Sequence, residues 1–259
     1  PNTRDLVIYE AHVGTFMGPS GSFQTFTNRL GYLEDLGVSV IELMPVNEFP
    51  SATSWGYNPA YPFAVETTYG SPDTLKTLVK DSHQRGMAVF LDVVHNHWDS
   101  DSSLWQFDGW TPNPGYGGLY FYNSDPYANS PWGPRPDYGR PEVREYINNS
   151  FRMWLDEYRM DGFRWDAPKH ILYTTNDVYI PDGLLMATNA LAMMAAQYPA
   201  AMNIAEDIKE INGFNAYWDF TFHSEVKDVL TQSSDASRDM PTIARNVNGV
   251  FGRIIYTES

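Results

Sequence analysis

The feature that most constrains the fold is a rhythm: short, almost unbroken apolar runs rich in Val and Ile recur between longer amphipathic stretches. The runs are Leu6–Tyr9, Val38–Met44 (closed by Pro45), Met87–Val94, Gly162–Trp165, Met202–Ala205, a weaker one at Ala216–Trp218, and Arg253–Thr257. Runs apolar on both alternations belong to strands covered on both faces, the condition of a parallel sheet flanked by helices. The segment before the third run predicts a helix. Ser71 is its N-cap, Pro72 opens it, Gly86 ends it, and Leu75, Leu78, Val79 and Ser82 share one face. A second helix is predicted from Pro141 to about Tyr158, turning Val143, Ile147, Phe151, Trp154 and Leu155 inward, and further helices at Gly183–Tyr198 and Ser224–Leu230. Seven strands with intervening helices predict an α/β fold, a (β/α)8 TIM-type barrel over residues 1–259. An open nucleotide-binding sheet fits less well, because no Gly-rich fingerprint follows the first strand and Gly18-Pro19-Ser20-Gly21-Ser22 lacks the ending of a phosphate loop. A barrel needs an eighth strand, so the expectation is a barrel truncated before it.

Residues 99–139 break the rhythm with six Pro, six Gly and ten aromatic residues and no period of either kind. Loops of that length are uncommon and tend to carry function, which predicts an extended loop or small subdomain after strand 3. The alternative is that its rings form a small satellite core. Seventeen basic against 32 acidic residues leave a formal charge of −15, which excludes a phosphate-neutralising grip on nucleic acid. The acidic, ring-rich balance suits a neutral, hydroxyl-rich ligand, although it also describes an ordinary soluble surface. No cysteine is present, so disulfides, thiolate metal sites and a cysteine nucleophile are excluded. The quietest stretch, Leu184–Ala196, contains Thr188 and Asn189 and is too short for a membrane span. No signal segment opens the sequence, which predicts a cytoplasmic chain, and its start at Pro1 suggests one processed or excised from something longer.

Reactive groups of such barrels sit at the C-terminal strand ends. Those ends read Asp92 with His95-Asn96-His97, then Arg164 and Asp166, then Glu206-Asp207. Arg164 and Asp166 are two apart and share a side, facing the barrel mouth while Phe163 and Trp165 face the helices. The guanidinium would keep Asp166 ionised, as a nucleophile must be. Glu206 follows Asp166 by 40 residues, about one βα repeat. Carboxyls on adjacent strand ends can approach to roughly 5 Å, the separation used by retaining glycosidases. The alternative is a pair of acids that only salt-bridge the rim. Tyr57, within Trp55-Gly56-Tyr57-Asn58-Pro59 after the second strand, would offer a flat face to a sugar, or else simply pack the loop. His12, placed in the first strand, reads as a buried, satisfied histidine. His95-x-His97 resembles the metal pair of amidohydrolase barrels, but those carry it on the first strand and need further histidines. Only His83, on a predicted helix, His170 and His223 are available here.

Taken together, the strand ends resemble the signature regions of the α-amylase superfamily, glycoside hydrolase family 13. Asp92-Val93-Val94-His95-Asn96-His97 resembles the first signature, Asp161–Ala167 the second and Ile204-Ala205-Glu206-Asp207 the third. The resemblance implies that Asp166 is the nucleophile, Glu206 the general acid/base and Arg164 the residue orienting the nucleophile. It implies that His97 binds a sugar hydroxyl, Tyr57 stacks under the same sugar and Asp92 is a structural partner of the arginine. Asn96 would brace the long third loop, and Lys169 and His170 would contact the sugar on the leaving side. The family's fourth signature, a His-Asp pair supplying a third carboxylate, has no counterpart before the sequence ends at Ile254–Ser259, and Glu258 does not take its place. A chain of this extent is therefore expected to be part of a longer polypeptide and, isolated, inactive. Tyr9–Gly14 and Ala205–Asp207 are most similar to glycogen branching enzymes, Ser54–Tyr57 to these and to maltooligosyl-trehalose hydrolases, and Asp166–His170 to α-amylases. The expectation is a retaining enzyme on α-1,4-glucan polysaccharides or oligosaccharides, with branching transfer ahead of hydrolysis and a non-catalytic glucan-binding module as the remaining alternative. No cofactor and no metal is assigned, Asp99, Asp101, Asp108 and Asp125 being only generic calcium ligands. No nucleic-acid or membrane partner is expected.

Overall fold

A computed structural model describes residues 5–107, 116–128, 130–208, 210–247 and 253–255. The strands are β1 (Ile8–Ala11), β2 (Val40–Leu43), β3 (Asn47–Glu48), β4 (Tyr61–Val65), β5 (Ala88–Val93), β6 (Gly162–Trp165), β7 (Met202–Ala205), β8 (Ala216–Asp219) and β9 (Arg253–Ile255). The α-helices are α1 (Val13–Phe16), α2 (Phe23–Thr27), α3 (Leu30–Asp35), α4 (Pro72–Gln84), α5 (Pro141–Asp156), α6 (Lys169–Leu172), α7 (Pro181–Gln197), α8 (Phe220–Leu230) and α9 (Met240–Val247). Among the described residues seven strands form one parallel sheet in the order β1-β2-β5-β6-β7-β8-β9, while β3 and β4 make a separate antiparallel pair. Apart from that inserted pair, every neighbour in the sheet is next in the chain, as expected of successive βα units.

The sheet curls. Arg164 on β6 and Trp218 on β8 are separated by β7, a lateral gap of roughly 10 Å in a flat sheet. Yet the guanidinium carbon lies 4.2 Å from the Trp218 ring centre. The concave face also gathers Ile8 of β1 and Ile254 of β9 around Val40, Phe90, Met202, Ile204 and Ala216. The convex face carries the larger core under the helices. There Phe151 of α5 stacks on Trp165 with ring centres 4.9 Å apart and meets Phe163 edge-on at 4.9 Å. Each such fully buried ring contributes about 1.5–3 kcal/mol relative to exposure, and truncating one costs about 3–5 kcal/mol.

Helices α4, α5 and α7 lie where periodicity puts them. Ser71 accepts from the Thr74 amide at 3.3 Å, and Gly86 takes a φ of 77° that favours glycine. Gly183 sits so close to the Ile171 carbonyl that a Cβ would collide with it, which lets α7 approach α6. Three expectations need correction. The first strand is shifted two residues from Leu6–Tyr9, to Ile8–Ala11, because ladder pairing with β2 decides its extent and admits polar Glu10 opposite Glu42. His12 therefore follows the strand instead of lying in it. Its half-buried ring is satisfied by Thr15 Oγ1 at 2.9 Å, the Ser54 carbonyl at 2.9 Å and the Tyr69 hydroxyl at 2.7 Å. The rings of the long loop after β5 do not form a satellite core: Trp105, Phe121 and Tyr138 join the main cluster through Trp98, 5.7 Å from Phe121. The loop is pinned at both ends. The Tyr138 hydroxyl donates to the His95 carbonyl at 2.6 Å, and buried Arg135 donates to the carbonyls of Tyr127 at 2.5 Å and His170 at 3.2 Å.

Candidate active site

Parallel register brings the polar strand ends together. Asp92 pairs across with Arg164, so the last inward side chains of β5 and β6 are neighbours. Arg164 is 3% exposed and Asp92 fully enclosed. The next inward residue, Asp166, is held one step beyond β6 by its backbone N–H, which donates to the Val93 carbonyl at 2.9 Å. Glu206 stands one step beyond β7, its amide bonded to the Trp165 carbonyl at 3.3 Å. Alternation along β6 sends Phe163 and Trp165 into the helix-side core, leaving the concave side to Arg164.

Arg164 is the hub. Its Nη1 donates to both oxygens of Asp92 at 2.9 and 3.0 Å and to Asp166 Oδ1 at 2.8 Å, and its Nη2 lies 3.1 Å from Glu206 Oε2. The guanidinium is held between the rings of Trp218 at 4.2 Å and Tyr57 at 5.8 Å. Burial opposes its charge, but Asp92, Tyr57, Glu206 and Asp166 outweigh burial and hold it above the ordinary arginine value. The Tyr57 hydroxyl donates to Asp92 Oδ2 at 2.6 Å. Glu206 Oε2 also accepts from the Ala167 amide at 2.6 Å, an amide aimed by a left-handed φ of 38°. Such a conformation costs a non-glycine residue about 1–3 kcal/mol and persists only where surroundings enforce it. Burial lifts Glu206 above the usual carboxylate range, with Arg164 opposing and Asp166 adding to the lift.

Asn96 differs from its expected part. Instead of bracing the third loop, its Nδ2 donates to the Asp166 carbonyl and to Asp166 Oδ2, both at 2.9 Å, because the turn after β5 points it across to β6. Its Oδ1 meets His97 Nδ1, and His97 Nε2 donates to the Tyr57 carbonyl at 2.7 Å. Burial, the largest influence, lowers His97, with Asp166 and the Tyr57 carbonyl opposing it. Asp92, Arg164, Asp166, Glu206, Tyr57, Asn96 and His97 are thus one hydrogen-bonded group.

Lys169 and His170 stand apart from it on α6. The Lys169 amide donates to Asp207 at 3.0 Å, while its exposed amine lies 3.7 Å from Asp177. His170 meets the Trp132 ring edge-on at 4.9 Å, and that same ring is 5.6 Å from His97. Trp132 is 54% exposed. Its ring thus lies between the two histidines, His97 and His170. Trp132, Trp218, the Ala167 amide and Glu42 escaped sequence reasoning. Only Glu42 left a signal, as the one acid of the apolar run Val38–Met44.

His95 and His97 do not converge. The His95 ring lies in the helix-side core, 5.0 Å from Phe151, and burial pushes it down to about 3. Among the described residues no three His, Asp or Glu side chains group as a metal site. Asp99 is engaged by Asn58 at 3.1 Å and by the Asp101 amide at 2.8 Å. Asp108, Thr257 and Glu258 lie outside the described residues.

A model of the alpha amylase catalytic domain matches residues 8–135. A malto-oligosyltrehalose trehalohydrolase of Saccharolobus solfataricus is 36% identical over 88% of this chain and 39% of its own length. A 1,4-alpha-glucan branching enzyme of Oceanobacillus iheyensis is 31% identical over 90% of this chain and 41% of its own length. A 1.4 Å crystal structure assigned as an alpha amylase, from Salmonella typhimurium, superposes with a TM-score of 0.75 at 28% identity, covering 96% of this chain and 43% of that one. The chain therefore spans about two fifths of the length of these relatives.

Proposed function

Because the chain belongs to the α-amylase catalytic-domain family, we propose that its site cleaves α-1,4-glucosidic bonds with retention, through a glycosyl intermediate on Asp166. Residues 1–259 are a portion of the catalytic barrel, extended by the loop at 99–139. Asp166, accepting from Arg164 and Asn96, attacks the anomeric carbon as Glu206 passes its proton to the departing sugar oxygen. Glu206, now a carboxylate, takes a proton from the incoming hydroxyl, whose oxygen displaces Asp166 and restores both acids. Arg164 orients the two acids, Asp92 and Tyr57 fix Arg164, Asn96 and His97 fix Asp166 and the sugar above it, and Lys169 and His170 meet the leaving side. The observation that carries this reading is the single guanidinium bonded to both acids, with burial raising the one that must deliver a proton.

The incoming hydroxyl is proposed to be the 6-hydroxyl of another glucan, giving branching transfer in the cytoplasm. Water is the second reading, favoured by the trehalohydrolase relative at 36% identity. No described helix is long and apolar enough to cross a membrane. Product analysis of the intact protein on amylose decides. New α-1,6 linkages support transfer, rising reducing ends without them support hydrolysis, and free trehalose from maltooligosyl trehalose supports the trehalohydrolase activity. A glucan-binding module without catalysis would show binding that Asp166→Asn leaves intact and no turnover in the wild type.

A further inference from the structure

Glu42 is a buried acid that the proposed reaction does not use. It stands in the middle of β2, 1% exposed, with Ile41 and Leu43 turned to the helix-side core and Val40 beside it on the concave face. Register places it between Glu10 of β1 and Phe90 of β5. The charged groups facing it are Glu10, Asp92 of β5, Arg164 of β6 and Glu206 beyond β7. Four carboxyls, those of Glu42, Asp92, Asp166 and Glu206, thus surround one guanidinium. The nitrogens of Arg164 that bond carboxylates serve Asp92, Asp166 and Glu206, and none reaches Glu42. Glu42 Oε2 is enclosed with no hydrogen-bond partner, as is Arg164 Nε.

An ionised carboxylate cannot stay in such a place without a partner; it takes up a proton instead. We propose that Glu42 is a positioning residue that carries a proton beneath Arg164, a neutral floor that leaves the guanidinium free to serve Asp166 and Glu206 together. This rests on the catalytic reading of the site given above. Burial, the largest influence, pushes Glu42 up to about 8 against the opposing pull of Arg164, with Glu10 and Glu206 adding to the rise. An ionised Glu42 would compete for the guanidinium and divide its hold on the two acids.

The test compares the intact wild type with Glu42→Gln, which keeps shape and neutrality. In the folded protein Glu42 keeps its proton up to about 8, whereas unfolded it releases it near 4.5. Wild-type stability should therefore decline as pH rises from about 4.5 to 8 relative to the variant. The expected result is a Tm gap that opens in favour of Glu42→Gln across that window, with kcat/KM at pH 6 within about threefold of wild type. A gap that does not change with pH, or a loss of about a hundredfold or more at pH 6, overturns the proposal. If the variant does not fold, infrared titration of Glu206→Gln, which removes the reacting acid that burial also raises, decides: a protonated-carboxyl carbonyl band that remains there near pH 6 and disappears as pH passes about 8 supports it, and no such band near pH 6 overturns it. If the wild type does not act on α-glucans, the catalytic reading fails, while the unfolding and infrared measurements still decide the state of Glu42.

Discussion

Replacing Arg164 with lysine probes the hub without removing its charge. Lysine offers one compact ammonium where arginine offers a planar fork, so it cannot span Asp92, Asp166 and Glu206 at once. If the ammonium settles on Asp92, the most buried partner, the bonds to Asp166 at 2.8 Å and Glu206 at 3.1 Å are lost. Hydrogen bonds to charged groups are worth about 1.5–3 kcal/mol each, so the pair accounts for about 3–6 kcal/mol. At about 1.4 kcal/mol per decade, kcat/KM should fall by about 10² to 10⁴. The cation–π contact with Trp218 weakens as well, and Tm should drop with it. Initial rates on maltooligosaccharides, with Tm measured in parallel, give both quantities. A variant within about tenfold of wild type, with an unchanged pH profile, would refute the claim that one guanidinium aligns both acids.

Two further outcomes follow from the surroundings of the site. Unfolded His95 takes up a proton below about 6.5, whereas the folded, enclosed ring refuses it down to about 3. Stability is therefore lost as pH falls through that window, by up to about 5 kcal/mol. Acid denaturation of His95→Gln should show a shallower fall in Tm than wild type, and equal slopes would contradict this. Trp132→Ala removes a ring half in water, so Tm should stay within about 2 °C. Loss of a stacking surface worth about 1 kcal/mol should raise KM about fivefold with kcat little changed. An unchanged KM would mean that Trp132 does not touch sugar.

The parts of the fold legible in the sequence are those whose signals are local and repeated. Helix α4 carries a cap, a proline and a one-sided apolar face, and α5 carries five inward apolar residues at helical spacing. Strands β5, β6 and β7 are apolar on both alternations because helices and the concave core cover both faces. The helices α1 to α3 stayed hidden because four to six residues hold no full apolar stripe. In α2 the cap partner is Thr25 instead of an acid, with the Ser22 amide bonded to Thr25 Oγ1 at 2.8 Å. The hairpin of β3 and β4 was hidden by Pro62 and by its short, irregular pairing. In the site, order along the chain pointed to the strand-end acids, since consecutive parallel strands deliver their ends to one rim. It could not point to Trp218, brought to Arg164 by the curl of the sheet. Nor could it show that Asn96 reaches Asp166, which depends on the turn after β5.

The most direct test is to trap the proposed intermediate. The intact protein is treated with a fluorinated α-glucosyl donor that forms the glycosyl ester readily and loses it slowly, then digested and sequenced by mass spectrometry. One sugar on the peptide containing Asp166, absent in Asp166→Asn and released when a glucan acceptor is added, is the predicted result. Steady turnover with no sugar on Asp166, or with the label on another carboxylate, would contradict the account.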